Sequence, residues 1–128
     1  MDQAGVFNVY DVLRDQPLEP GKSPQWIFTS TTDRATTNVV QADGQTAFRA
    51  HRHLEHDEIV FVLAEGSRFR VGDEVRPVRP GDVLHIPAGV LHGPVIPETG
   101  RFAAFSIYAP TFDPEHPDRV FEEEMEQS

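Results

Sequence analysis

Gly81-Asp82-Val83-Leu84-His85-Ile86-Pro87-Ala88-Gly89-Val90-Leu91-His92 is the stretch on which the fold of this 128-residue chain turns. It opens on the turn pair Pro80-Gly81 and runs through four apolar or aromatic positions, Val83 to Ile86. It turns again at Pro87-Ala88-Gly89 and delivers a histidine. Such a short run between strong turn signals reads as a β-strand rather than a helix. The same beat extends outward in both directions, through Gly72-Asp73, Gly66 and Gly44 on one side and Gly93-Pro94 and Gly100 on the other. Between these breaks lie Glu58 to Leu63, Ser67 to Val71, Glu74 to Val78 and Phe102 to Tyr108, all rich in β-branched or aromatic residues. Evenly spaced short strands of this kind point to an all-β sandwich or barrel. Gly72-Asp73 has the form of a two-residue hairpin loop, where glycine supplies the positive φ of a primed turn.

The ends of the chain carry weaker signals. Val6 to Leu13 alternates in part, Asp15 to Pro24 is a proline-containing loop, and Gln25 to Thr29 and Arg34 to Gln41 read as strands. No sustained helical period precedes the C-terminus. After Phe112 the chain holds seven acids and a single arginine, Arg119, so −6 of the net charge of −10 lies in residues 113–128. Arg119 to Gln127 reads as a short terminal helix or a solvated tail. The organisation expected is one domain over residues 1–112, followed by an acidic tail or short helix over 113–128.

Five of the six histidines fall between residues 51 and 92. In a strand, His51 and His53 project to the same face, with Cα atoms about 6.6 Å apart. Two imidazoles at that separation can lean onto one ion, each nitrogen about 2.0–2.1 Å from it. The polar stretch Leu54-Glu55-His56-Asp57 can turn the chain so that Glu58 returns antiparallel beside the pair. The turn at 87–89 re-aims His92 toward the same interior. A lone His-x-His is most often polar surface, and the weight here comes from the second segment with its own spacing. Asp57 rivals Glu58 as a ligand but stands one residue off. Glu55 and His56 read as a polar turn, with orientation of a ligand or service as a general base as their functional alternative. His85, out of phase with Leu84 and Ile86, is a proton shuttle if it faces inward and an ordinary core or surface histidine otherwise.

The two segments together resemble the paired motifs of the cupin superfamily, over roughly Gly44 to His92. The first segment is Gly44, His51-x-His53, four residues, Glu58 and then Gly66. The second is Gly81, five residues, Pro87, one residue, Gly89, two residues and His92. The resemblance implies a small single-domain double-stranded β-helix, or jelly-roll barrel, with extra N-terminal strands. It also implies one divalent first-row transition metal ion held by His51, His53, Glu58 and His92 in motifs spanning 44–66 and 81–96. This chain departs from the pattern at Ile96, where an asparagine often stands, and in the distance from Gly44 to His51; neither position supplies a ligand. Nitrogen-rich donors suit Fe, Mn, Ni, Cu or Zn rather than calcium or magnesium.

Composition excludes several alternatives. There is no cysteine, hence no disulfide framework, thiolate zinc site, iron–sulfur cluster or cysteine nucleophile. A net charge of −10 opposes binding to a phosphate backbone, so no nucleic-acid partner is expected. No apolar run approaches the ~20 residues of a membrane helix, and Met1-Asp2-Gln3-Ala4-Gly5 does not open a secretory signal. A cytoplasmic protein with no membrane partner is the expectation. Phe48, Val60, Phe61, Val62, Phe69, Phe102, Phe105 and Tyr108 would build the barrel wall, with alternate members facing inward. Arg49, Arg68, Arg70 and Arg101 are candidates to bind a carboxylate if any faces inward.

The resemblance points first to a metal-dependent enzyme acting on a small organic molecule, dioxygenase-like if loaded with iron or copper. Isomerase or lyase chemistry is expected with manganese or zinc. A non-catalytic ligand-binding or sensing module is the competing class, to be told apart by a second convergent group, a base or an arginine, in the cavity. Relatives of this size commonly pair through strands of the N-terminal third, so a homodimer is expected.

Overall fold

The computed structural model describes residues 5–45, 48–111, 113, 115 and 118–122. In chain order it comprises one helix, α1 (Val9–Asp15), and ten strands. These are β1 (Gln25–Thr31), β2 (Thr36–Asp43), β3 (His51–His53), β4 (Asp57–Val62), β5 (Ser67–Val71), β6 (Glu74–Val78), β7 (Val83–Ile86), β8 (His92–Val95), β9 (Arg101–Ala109) and β10 (Arg119–Phe121). They form two five-stranded antiparallel sheets, ordered β1-β2-β9-β4-β7 and β10-β3-β8-β5-β6. This is the double-stranded β-helix expected from the sequence. The strand runs read from the glycine and proline beat coincide with β4 to β7 and β9 to within two residues. Val71 pairs with Glu74, leaving Gly72-Asp73 as the two-residue loop, and Gly72 has φ +61°.

The core lies between the sheets. Alternation along β4 turns Glu58, Val60 and Val62 inward, and Phe61 outward. Val40, Val60, Phe69, Ile86 and Phe102 form its centre, with Trp26, Phe48 and Leu84 packed around them. Phe61 and Phe105 face each other across the β4–β9 ladder on the outer side, so of the expected wall residues these two lie outside the barrel. Phe105 meets Phe7 there, with ring centroids 5.9 Å apart. Val39, Gln41 and Ala103 are buried on that outer side as well. The N-terminal segment covers it, and Gln41 Nε2 donates to Gln16 O at 2.8 Å. Gly44 shows why its position excludes a side chain: a Cβ there would collide with the carbonyl of Pro97.

The two ends of the chain differ from their weak sequence signals. The partial alternation of Val6 to Leu13 conceals a helix over Val9–Asp15 capped by Asn8, its side chain accepting from Tyr10 N and Asp11 N. Seven residues make less than two full turns, too few for a helical period to show. At the other end Arg119–Phe121 is a strand rather than a helix or solvated tail. It pairs antiparallel with the whole of β3, which otherwise lacks a neighbour on that side. The remainder of the expected tail helix, residues 123–128, and His116 lie outside the described residues.

Candidate metal centre

His51, His53, Glu58 and His92 are brought to one point. Each offers one donor atom, and these atoms all lie within 4.8 Å of one another. Alternation on β3 directs both of its histidines inward, and the register places His92 of β8 directly opposite His51. Glu58 reaches the same point from β4 in the facing sheet. All four residues are buried, none more than 7% exposed.

The outer nitrogens of the imidazoles explain their orientation. His51 Nδ1 lies 3.0 Å from Arg49 O, His92 Nδ1 2.9 Å from Val90 O, and His53 Nδ1 3.0 Å from Asp118 O. A carbonyl only accepts, so each Nδ1 carries the proton and donates it. In a neutral ring the Nε2 lone pair then faces the cluster. Burial, reinforced by His92, pulls His51 down to about 3, so this ring is neutral near pH 7. Glu58 Oε1 stands 3.2 Å from His53 Nε2 and 3.0 Å from His92 Nε2. Burial alone would raise the Glu58 carboxyl, yet the close approach of His53 and His92 outweighs it and holds the group below the usual carboxylate range.

This donor set fits a divalent transition ion. Lone pairs of neutral rings and a carboxylate converging in a desolvated space repel one another unless a cation stands between them. Octahedral donors about 2.1 Å from an ion lie about 3.0 Å apart when adjacent and about 4.2 Å when opposite, so donor atoms that all lie within 4.8 Å of one another need only small shifts to close on one ion. Beside it is a void of about 20 Å³, lined among others by Trp26, Phe48, Phe69, Phe102, Ser106 and Tyr108. That is room for about one water-sized body.

The other sequence candidates separate clearly. Asp57 is not part of the cluster. It accepts from Ala88 N at 2.9 Å and lies 3.2 Å from His85 Nε2, which holds its carboxyl below the ordinary range and ties β4 to the 87–89 turn. His85 is exposed and does not face the interior, and Glu55 is exposed too. Arg68 and Arg101 are exposed, Arg70 pairs with Glu122 at 3.3 Å, and the Arg49 guanidinium sits 3.8 Å over the Phe121 ring.

Three residues near the centre were not legible as such. His56, read as part of a polar turn, is 3% exposed, its ring 4.5 Å from that of His53 and its Nδ1 3.4 Å from Asp118 Oδ2. Asp118, read as tail, gives its carbonyl to His53 and accepts at Oδ2 from Leu54 N (2.8 Å) and Glu55 N (2.5 Å). Tyr108, read as wall, packs edge-on against both His53 and His56 at 5.5 Å, and its hydroxyl accepts from Asn38 Nδ2 at 3.2 Å. Burial and the Glu58 carboxylate raise its phenol well above the usual value, so it stays protonated. The contacts made by Asp118 span more than 60 residues of chain, and no local pattern signals them.

A family model for the cupin domain matches residues 38–108, more than half of the chain. The chain belongs to the cupin family. Among solved structures, this cupin is similar to KdgF from a Halomonas species, with 26% identity and a TM-score of 0.65 over 79% of this chain and 89% of that one. An uncharacterized conserved protein with a double-stranded β-helix domain from Klebsiella pneumoniae has 17% identity and a TM-score of 0.71, over 93% and 97% of the two chains. A cupin-2 domain protein from Shewanella frigidimarina has 24% identity and a TM-score of 0.61, over 83% and 95%. The last two likenesses show the shared fold. No curated protein matches the sequence. The cupin domain and the buried cluster together describe a metal-binding cupin. Among its described residues, no helix is long and apolar enough to cross a membrane.

Proposed function

We propose that this cupin is a metal-dependent enzyme acting on a small organic molecule, with a dioxygenase-type oxidation as the first reaction to test. The observation that carries the reading is the convergence of three Nε2 lone pairs and one carboxylate on a buried point beside an apolar wall. Four protein ligands leave one or two positions of an octahedral ion for an exogenous molecule. A bound first-row ion would supply Lewis-acid or one-electron chemistry there. The chain's own residues do the rest. Arg49, Val90 and Asp118 carbonyls hold the three rings in the ligating tautomer. Trp26, Phe48 and Phe69 keep bulk water from the centre. Tyr108 holds a proton at its hydroxyl on the cavity wall, which supports an enzyme over a passive binder.

The test is metal analysis of the purified protein, followed by oxygen uptake with small aromatics and keto acids for each of Fe, Mn, Ni, Cu and Zn. About one ion per chain is expected, lost in His92→Ala. Absence of a stoichiometric ion overturns the reading. Metal binding without oxygen uptake moves the reading to isomerase or lyase chemistry or to a ligand-sensing module. A homodimer belongs to the same proposal: β1 is an edge strand and exposes Phe28, a surface suited to pairing. Light scattering on the eluted protein tests it, with twice the chain mass expected.

A further inference from the structure

Arg119 is the one arginine of the acidic C-terminal stretch, and it enters the barrel. In the β10–β3 ladder Arg119 stands opposite His53 and Phe121 opposite His51. Residues directly opposite in an antiparallel pair project to the same face. Arg119 therefore shares the inward face of the two ligand histidines, and Phe121 follows, its ring 5.9 Å from that of His51. The Arg119 guanidinium carbon lies 4.8 Å over the ring of Trp26 and 5.8 Å from that of Phe121. Trp26 itself lines the void beside the cluster. Burial lowers the guanidinium from its ordinary value, and the neighbouring Tyr108 and Glu58 partly offset that effect.

Two features show that this cation is not consumed by structure. The Arg119 Nε is buried and meets no hydrogen-bond acceptor among the described residues. Arg14, Arg70 and Arg76 each have a carboxylate at ion-pair distance, whereas Arg119 has none among the described residues. A buried N–H left without an acceptor is costly. With three neutral imidazoles, Glu58 and Arg119 cancel, so an ion of charge +2 at the cluster leaves the interior at about +2. An anion that reaches the inward face of β10 meets the guanidinium on the face that Arg119 shares with the ligand histidines.

We propose that Arg119, between Trp26 and Phe121, forms a carboxylate-binding subsite, and that the molecule this cupin acts on is a small organic carboxylate. The proposal rests on the reading of the centre as a metal enzyme and names its substrate class. A guanidinium presents a planar fork that matches the two oxygens of a carboxylate.

The test is calorimetric titration of the nickel-loaded full-length protein with succinate, with its neutral diamide and with inorganic phosphate, repeated on Arg119→Gln. Succinate is expected to bind, the diamide to bind at least tenfold more weakly, and Arg119→Gln to lose roughly tenfold to a hundredfold in succinate affinity. Nickel content and melting temperature of the variant should match the wild type, which a purely structural stacking role for Arg119 would not allow. Undetectable succinate binding to the wild type, or wild-type affinity in Arg119→Gln, overturns the inference. So does phosphate binding more tightly than succinate. If the glutamine variant fails to fold, Arg119→Lys replaces it, with a severalfold loss expected and wild-type affinity again overturning the assignment. If the wild type takes up another of Fe, Mn, Cu and Zn but not nickel, that ion replaces nickel in the titration; if it takes up none of the five, the metal-enzyme reading fails by itself, and titration of the metal-free protein with succinate decides the fate of the subsite.

Discussion

Glu58 and His53 face the same point but are held there in different ways. Glu58 belongs to β4, which pairs with β9 along its whole length and with β7 from Glu58 to Phe61, in the middle of its sheet. His53 belongs to the three-residue β3, which meets β8 only at the His51–His92 pair and otherwise rests on β10. The carboxylate is thus fixed by long ladders and a packed core. The histidine pair is fixed by a C-terminal segment that lies 65 residues away in sequence and outside the matched family domain. One half of the centre is built by the barrel itself, and the other is completed by an addition to it.

That contrast can be broken in graded ways. Ile86→Ala strikes the core under β4 and β7, where Ile86 is 1% exposed. It is expected to cost about 2–5 kcal/mol of stability in urea unfolding while leaving metal stoichiometry unchanged in the folded protein. If it also strips the metal, the two halves are not separable. Truncation after residue 117 removes the carbonyl that orients His53, and Asp118→Ala removes the carboxylate that holds Leu54 and Glu55. The truncation is expected to weaken metal affinity by about 10–100-fold, as outer partners of metal-bound histidines commonly do, and Asp118→Ala by less. Competition titration with a chelating dye reads both. Unchanged affinity in the truncated chain would show that β3 needs no C-terminal partner.

Acid should act on both halves in the same direction. His51 titrates at about 3 in the folded state against 6.5 for an unperturbed histidine, so below pH 6.5 the unfolded chain binds a proton that the native one refuses. Its stabilising contribution is present above pH 6.5 and is lost as pH falls toward 3. Glu58, lowered from 4.5, adds a loss of the same sign below pH 4.5. Metal-free protein should therefore lose stability with a slope of about one proton between pH 6.5 and 4.5, and His51→Asn should flatten that slope. A pH-independent denaturation midpoint across this range would contradict a neutral, buried His51. The smallest effect is expected at Asn8→Ala, which uncaps α1 on the outer face and should cost about 1 kcal/mol without touching metal affinity.

The parts of the centre that could be read in advance are those whose geometry is local. His51 and His53 share a face because strands alternate, and Glu58 returns beside them after a four-residue turn. The 81–92 spacing marks a strand, a turn and the third histidine. The strand pattern was legible for the same reason, since glycine and proline act on their immediate neighbours. Helix α1 escaped because seven residues are too few to display a period, although Asn8, Asp11 and Arg14 stand where a cap and end charges belong. His56, Asp118 and Arg119 escaped because what matters about them is a neighbour far along the chain.

The amino-acid sequence alone determined the all-β class and its turns, because each follows from interactions among neighbours in the chain, and the barrel and the four residues that meet at its centre were legible through the resemblance of its paired motifs to those of the cupin superfamily. Only the tertiary structure decided which of ten arginines enters the interior, which aspartate orients His53, and that a stretch read as acidic tail contributes a strand of the second sheet. Those choices are set by pairing at the free edge of β3. An unpaired edge selects its partner by register and burial, and no charge count or local spacing records that selection.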